Sequence, residues 1–263
     1  MKYKMIALDI DGTLVDKNVK VHTSTIEIIK RAIHKGIIVT LSTGRMYPSA
    51  KAIADKFGID YPLIVYNGAE IRNPKDNSFA FSKYLPLDIS KEIILLCKEN
   101  NLYLQFYEED SIVVEKIVDE TRIDPDLAFA KCKEVGDLSK YTLQPCPKMM
   151  IVTEPHKTSE VESLLLTKFK DKIHITRSKP YLIEIIHPMV SKANALETLA
   201  NKFNISQEEV IAIGDGDNDI EMIKWAGLGI SVGNATETLK NYADYVTRQE
   251  YNLGVEEAIN KFT

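Results

Sequence analysis

Residues 7–16 read ALDIDGTLVD, an apolar run ending in two aspartates two positions apart, Asp9 and Asp11, with Gly12 and Thr13 directly behind them. Two like charges at the end of a buried segment repel each other and lose solvation unless an opposite charge holds them. The run that leads into them, MIALDI, is continuously apolar, as a strand in a parallel sheet is. Moving outward, TIEIIKRAIHKG reads as an amphipathic helix with Ile26, Ile29 and Ile33 on one face and Gly36 closing it, and IIVTLST reads as a second strand. The βαβ pattern then repeats: Pro48 opens a helix that ends near Gly58, and PLIVYNG follows as a third strand.

From about residue 83 the texture changes. The helix DISKEIILLCKENN leads into strands LYLQFY and SIVVEK. A polar helical stretch, strand KMMIVTE, a helix through Leu164 and Phe169, and a hairpin HITRSKPYLIEII follow. Two βα units mixed with antiparallel hairpins predict an α+β module. After Pro188 the alternation resumes with helix KANALETLANKF, strand VIAIGD, a helix through Met222 and Trp225, strand GLGISVG, a further helix and the short strand DYVT. Ser206 and Glu209 have the spacing of a capping box over a short turn. The simplest architecture is α/β: a doubly wound parallel-sheet core formed by residues 1–82 and 189–263, interrupted by an inserted α+β module over 83–188.

A net charge of −5 argues against general affinity for nucleic acid or an anionic membrane surface, and leaves room for a local basic pocket that takes a small anion. Cys97, Cys132 and Cys146 are odd in number and widely spaced, so neither a disulfide framework nor a zinc site is indicated, and the cytoplasm is the expected location. No signal peptide and no membrane span is read, and oligomeric state is not signalled.

In an open α/β sheet, ligands bind at the carboxyl ends of the strands. Asp9 and Asp11 follow the first strand, Thr43 the second, and Asp215 and Asp219 the strand VIAIGD. If these strands are neighbours the carboxylates converge, and an all-oxygen cluster favours Mg²⁺. Taken singly, each aspartate could equally cap a helix. GDGDND also half-resembles a dinucleotide loop, but carboxylates at that helix start would repel a pyrophosphate.

DIDGTLVD, LSTGR, the lysine of VSKANAL and GDGDNDIEM, in that order, resemble the four motifs of the haloacid dehalogenase superfamily, in its Cof-type sugar-phosphatase branch, along essentially the whole chain. The insertion between the second and third motifs matches that branch's cap. Ala193 stands where the family commonly has glycine, and SVGNA lacks the methionine often found there. The resemblance implies a Mg²⁺-dependent phosphatase acting on small phosphorylated metabolites, sugar phosphates foremost. It implies Asp9 as nucleophile, Asp11 as general acid and then base, Thr43 as a donor to the phosphoryl group and Lys192 as a fixed positive charge. Mg²⁺ would be held by Asp9, Asp215 and the backbone carbonyl of Asp11, with Asn218 and Asp219 at the metal shell. Asp219 would orient a metal-bound water or Lys192. Gly44, Arg45, Asn67 and Gly68 resemble substrate-facing positions, although Asn-Gly is also simply a good turn, and Asn234 is a polar neighbour of the metal site. Asp217 reads as solvated. Two other readings compete: a sugar phosphomutase with the same core chemistry, and a phospho-accepting signalling module, against which the position of Asp9 on the first strand and the long insertion both speak.

Overall fold

The computed structural model describes residues 2–16 and 21–263. In chain order the first elements are β1 (Met5–Leu8), α1 (Thr23–His34), β2 (Ile38–Leu41), α2 (Tyr47–Phe57), β3 (Leu63–Val65), β4 (Glu70–Arg72) and β5 (Phe79–Ser82). There follow α3 (Leu87–Glu99), β6 (Tyr103–Glu108), β7 (Ser111–Val114), α4 (Asp119–Arg122), β8 (Lys131–Glu134), β9 (Met149–Val152), α5 (Thr158–Phe169), β10 (His174–Thr176) and β11 (Leu182–Ile186). The chain ends with α6 (Lys192–Lys202), β12 (Val210–Gly214), α7 (Ile220–Trp225), β13 (Leu228–Ser231), α8 (Glu237–Lys240), β14 (Tyr245–Val246) and α9 (Tyr251–Phe262). These elements form two compact units, one of residues Met1–Gly44, Ala50–Phe81 and Ser191–Thr263, the other of Arg45–Ser49 and Ser82–Val190. Among the described residues no helix is long and apolar enough to cross a membrane.

The first unit is built on a parallel sheet of order β14-β13-β12-β1-β2. The chain leaves β1 for β2 on one side and fills the other side with β12, β13 and β14, so strand order reverses beside β1, where such sheets bind ligands. Met5 and Ala7 of β1 pack with Leu196 and Leu199 of α6 and Met222 and Ile223 of α7. Ile6 and Leu8, on the opposite face of the same strand, are equally buried, which is why this strand is apolar without alternation. Helix α1 lies against α9, and Thr25, Ile28, Ile29 and Ala32 are its buried residues. Ile26 and Ile33 flank that stripe rather than form it.

PLIVYNG does not join the parallel sheet as a full strand. Leu63–Val65 meets β2 only through one parallel bridge, Ser42 to Ile64, then turns back to pair antiparallel with β4 in a small sheet of order β3-β4-β5. Three consecutive residues with positive φ, Tyr66, Asn67 and Gly68, make that reversal. A run of three buried apolar residues has the same sequence pattern whichever way its partner runs. In the second unit a six-stranded sheet of order β10-β11-β9-β6-β7-β8 is antiparallel except for β7 and β8. Its apolar face, with Leu104, Phe106, Ile151, Ile183 and Ile185, packs on α3 and α5 in a core of its own. Strand β8 has no apolar alternation, and its Lys-Cys-Lys-Glu sequence reads as part of a polar stretch.

Candidate active site

Register carries the acidic residues to one edge. Leu8 lies opposite Ile213 on one side and Leu41 on the other, so Asp9, Asp215 and Thr43 leave their strands at the same end of the sheet. The Asp9 amide donates to the Ile213 carbonyl at 3.0 Å, extending the ladder one residue beyond β1. Ligand oxygens of Asp9, Asp215 and Asp219 all lie within 4.8 Å of one another.

Lys192 is the first residue of α6, where Ser191 caps the helix by accepting the Asn194 amide at 3.2 Å. Its ammonium donates to Asp9 Oδ1 at 2.7 Å and to Asp219 Oδ1 at 2.6 Å, with all three side chains buried. Lys192 is therefore not a solvated helix-start lysine. Burial works against its charge, but Asp219 and Asp9 outweigh it and hold the ammonium above its ordinary range. Burial pushes Asp9 well above the usual carboxylate range; Lys192 opposes this, while Asp219 and Asp215 add to it. Three carboxylates gathered round one ammonium leave uncompensated negative charge, and their donor set is all oxygen. A hard divalent cation fits that arrangement.

The loop behind Asp9 is shaped to receive Asp215. The Leu14 and Val15 amides both donate to the Ile10 carbonyl, a tight turn in which Gly12 takes φ +94°. A Cβ on Gly12 would overlap the Asp215 carboxylate, and Thr13 Oγ1 donates to Asp215 Oδ1 at 2.8 Å. Asn234 Nδ2 donates to the Gly12 carbonyl at 2.8 Å, and its Oδ1 accepts the Tyr251 amide at 2.7 Å. Gly12→Ala is thus expected to destabilise the fold by roughly 2 kcal/mol or more, through overlap and the left-handed φ together. Denaturant midpoints of the two proteins check this; an unshifted midpoint would mean the loop relaxes freely.

Asp219 uses both oxygens within the protein: Oδ1 on Lys192, and Oδ2 on the Asp215 and Gly216 amides at 3.0 and 3.1 Å. It is placed to orient Lys192 and the loop. The Asp11 carboxylate is half-buried and does not belong to the close acidic group; Asn218, next to Asp219 in the chain, is likewise half-buried. Asp217 is exposed and accepts from Thr236 Oγ1 at 2.7 Å, away from ligation. Thr43 is buried, its amide donating to the Ile64 carbonyl and its carbonyl accepting the Asn67 amide at 2.9 Å, with Gly44 next in the chain. Asn67 is buried with both side-chain amide atoms unpartnered. Gly68 has a packing role: a Cβ there would overlap the Ser191 carbonyl just before Lys192. Arg45 donates to Ser49 Oγ at 2.9 Å and groups with the second unit.

Two further residues contribute to the site. Thr13 could be found only from knowing that Asp215 comes to it, 202 residues on. Ser191, directly before the lysine that opens α6, carries the ordinary N-cap signal.

A sequence profile of haloacid dehalogenase-like hydrolases matches residues 6–259. The 5-amino-6-(5-phospho-D-ribitylamino)uracil phosphatase YitU of Bacillus subtilis (strain 168) is 29% identical over 98% of this chain and 97% of its own. A haloacid dehalogenase-like hydrolase from Bacteroides thetaiotaomicron superimposes with a TM-score of 0.88 at 33% identity, covering 99% of this chain and all of the other. The subclass IIB sugar phosphatase BT4131 superimposes with a TM-score of 0.83 at 25% identity, covering 98% of each chain. The acidic edge, the buried lysine and these likenesses agree: the chain belongs to the haloacid dehalogenase superfamily, in its Cof-type branch, and is a phosphatase.

Proposed function

We propose that this phosphatase hydrolyses small, sugar-like phosphate monoesters through an aspartyl phosphate on Asp9, with Mg²⁺ as its cofactor. The observation that carries this reading is the buried Lys192 ammonium bridging Asp9 and Asp219, with Asp215 within ligand distance of both. Lys192 fixes Asp9 through Oδ1, which leaves Oδ2 to attack phosphorus in line. Its positive charge also lowers the repulsion between an anionic ester and an anionic nucleophile. Asp11, two residues on and half-buried, would protonate the leaving oxygen and then take a proton from the water that cleaves the acyl phosphate. Thr43 and the unpartnered Asn67 amide would donate to phosphoryl oxygens. Asp9, Asp215 and the Asp11 carbonyl would hold the ion, with Asn218 near its shell. A divalent cation there would supply charge neutralisation of the phosphoryl oxygens.

In this reading the inserted module over 83–188, which lies within the second unit, would act as the cap that selects the substrate. The relative that acts on a phosphorylated ribityl compound and the sugar phosphatase both favour a polyhydroxylated leaving group. Free thiols at Cys97, Cys132 and Cys146 fit action in the cytoplasm.

The test is phosphate release from a panel of monoesters by chelated protein with and without added Mg²⁺. Chelation is expected to lower the rate by about a hundredfold or more and Mg²⁺ to restore it, with weakened Mg²⁺ binding in Asp215→Ala. Full activity in exhaustively chelated protein would sink the metal role, and an inert panel would sink the whole reading.

A further inference from the structure

The turn that carries Asp11 is fastened from outside as well as from within. Inside it the Thr13, Leu14 and Val15 amides converge on the Ile10 carbonyl at 3.3, 2.9 and 3.0 Å, and the Gly12 amide donates to the Val15 carbonyl at 3.0 Å. A carbonyl oxygen has two lone pairs, so three donors on one acceptor leave the longest bond, from Thr13, the weakest. That bond belongs to the peptide joining Gly12 to Thr13, which follows a residue with no Cβ and a φ of +94°. The peptide directly after Asp11 is thus the one the turn itself holds least.

Asn234, half-buried on the loop after β13, supplies the second grip, its Nδ2 donating to the Gly12 carbonyl at 2.8 Å. Asn234 is itself held, because its Oδ1 accepts the Tyr251 amide at 2.7 Å. One partner is an N–H and the other a C=O, so the amide has a single orientation. Tyr251 opens α9 with φ +49°, left-handed backbone that a bulky residue adopts only at a cost, and the residue under that strain is the one whose amide meets Asn234. The neighbours of Asn234 are pinned too: the Gly233 amide donates to the Gln249 carbonyl and the Thr236 amide to the Asp215 carbonyl, both at 2.9 Å. The Asn234 side chain is therefore a strut between the start of α9 and the peptide after Asp11. On an arbitrary surface turn such a strut would only stabilise. This one ends one residue from a carboxyl group that has to come within hydrogen-bond reach of the leaving oxygen.

We infer that Asn234 is a positioning residue for proton transfer by Asp11, setting the place of its carboxyl group through the Gly12 carbonyl. The inference rests on the phosphatase reading above and adds a residue that need not touch the substrate. As Asp9 Oδ2 bonds to phosphorus, the bond from phosphorus to the leaving oxygen breaks with its electron pair on that oxygen. The Asp11 proton goes to the same oxygen, giving the free alcohol and an Asp11 carboxylate. In the second step a water oxygen bonds to phosphorus, the pair of the broken bond returns to the Asp9 carboxylate, and Asp11 recovers a proton from the water. Misplacing a catalytic group by about 1 Å can cost on the order of a hundredfold, and in the first step that loss falls on esters whose leaving group needs the proton.

Phenyl phosphate and p-nitrophenyl phosphate, compared in the whole chain with Mg²⁺, isolate that step. The two esters have nearly the same shape, but phenolate is far the more basic leaving group and p-nitrophenolate departs readily without a proton. Asn234→Ala, and Asn234→Leu, which keeps the branched shape of the side chain without its bonds, are each expected to lower the ratio of kcat/KM for phenyl phosphate to that for p-nitrophenyl phosphate by about tenfold. Loss of folded protein or of Mg²⁺ affinity scales both esters alike and leaves the ratio where it was, so a merely structural role cannot imitate the effect. A ratio unmoved in either variant would overturn the inference while leaving the phosphatase reading standing. Release from p-nitrophenyl phosphate alone by the wild-type protein would do the same, since the poorer leaving group would then be receiving no proton. Absence of phosphate release from both esters by the wild-type protein would overturn both.

Discussion

Asparagine in place of Asp9 is expected to lower phosphate release by a factor of about 10⁴ or more, since an amide oxygen is too weak a nucleophile to form the covalent intermediate. Folding should not suffer. Asp9 is a buried carboxylate that burial, Asp219 and Asp215 all disfavour and only Lys192 supports, so a neutral isostere removes repulsion while Lys192 keeps Asp219 at 2.6 Å. In chelated protein the unfolding temperature is therefore expected to stay level or rise. Phosphate release and thermal unfolding measured on the same samples check both halves. Turnover near the wild-type rate would remove Asp9 from the role of nucleophile, and a large fall in stability would mean that the Lys192–Asp9 pair is a structural mainstay.

Lys192→Met should do the opposite to stability. It keeps the stem of the side chain as far as Cε, removes the ammonium, and leaves Asp9 and Asp219 buried without a counter-charge, a change of about 3–5 kcal/mol against the fold. Added Mg²⁺ should recover part of that loss, because a dication at the same carboxylates replaces the missing charge, so the deficit is expected to be larger with chelator than without. In wild type Asp219 and Asp9 raise the lysine above its ordinary value despite burial. The lysine's contribution is then fully present below its unfolded value and is lost only as pH climbs through the raised folded one. The stability gap between the two proteins should accordingly hold steady from neutral pH to about pH 10. Activity is expected to fall about a hundredfold to a thousandfold, as for loss of a preorganised charge. Urea titrations at several pH values, with and without Mg²⁺, test this; a variant as stable as wild type in chelator would show that Lys192 is not the counter-charge.

Much of this could be read from the chain because the informative signals are local. MIALDI and VIAIGD end in aspartates, and strand polarity alone sends such residues to one sheet edge. What escaped depends on partners distant in sequence. The direction in which Leu63–Val65 pairs is decided by the Tyr66–Gly68 reversal, and an Asn-Gly dipeptide serves a turn and a ligand contact equally well. The grouping of Arg45–Ser49 has a similar reason: by sequence it opens the helix of the second βαβ unit, yet it groups with the second compact unit, which contains the Met46 to Asp126 bond. The burial of Gln105, Tyr107, Lys148 and Glu184 in the inserted module was invisible because they have the alternation of ordinary solvent-facing strand positions.

The order of strands in the first sheet also governs how the protein is made. A ribosome delivers β1 with Asp9 well before the neighbour that completes it, β12, which begins at Val210, and Asn234, which grips the Gly12 carbonyl, emerges later still. At about 5–20 residues per second the nascent chain carries an unpaired edge of this wholly apolar strand for on the order of ten seconds or more. The intervening unit has its own core and can fold in that interval, outside the tunnel, while the first strand waits. A stalled or truncated product ending before residue 210 therefore carries a folded insertion and an exposed, aggregation-prone β1–β2 pair, the kind of species that chaperones and proteases are built to find.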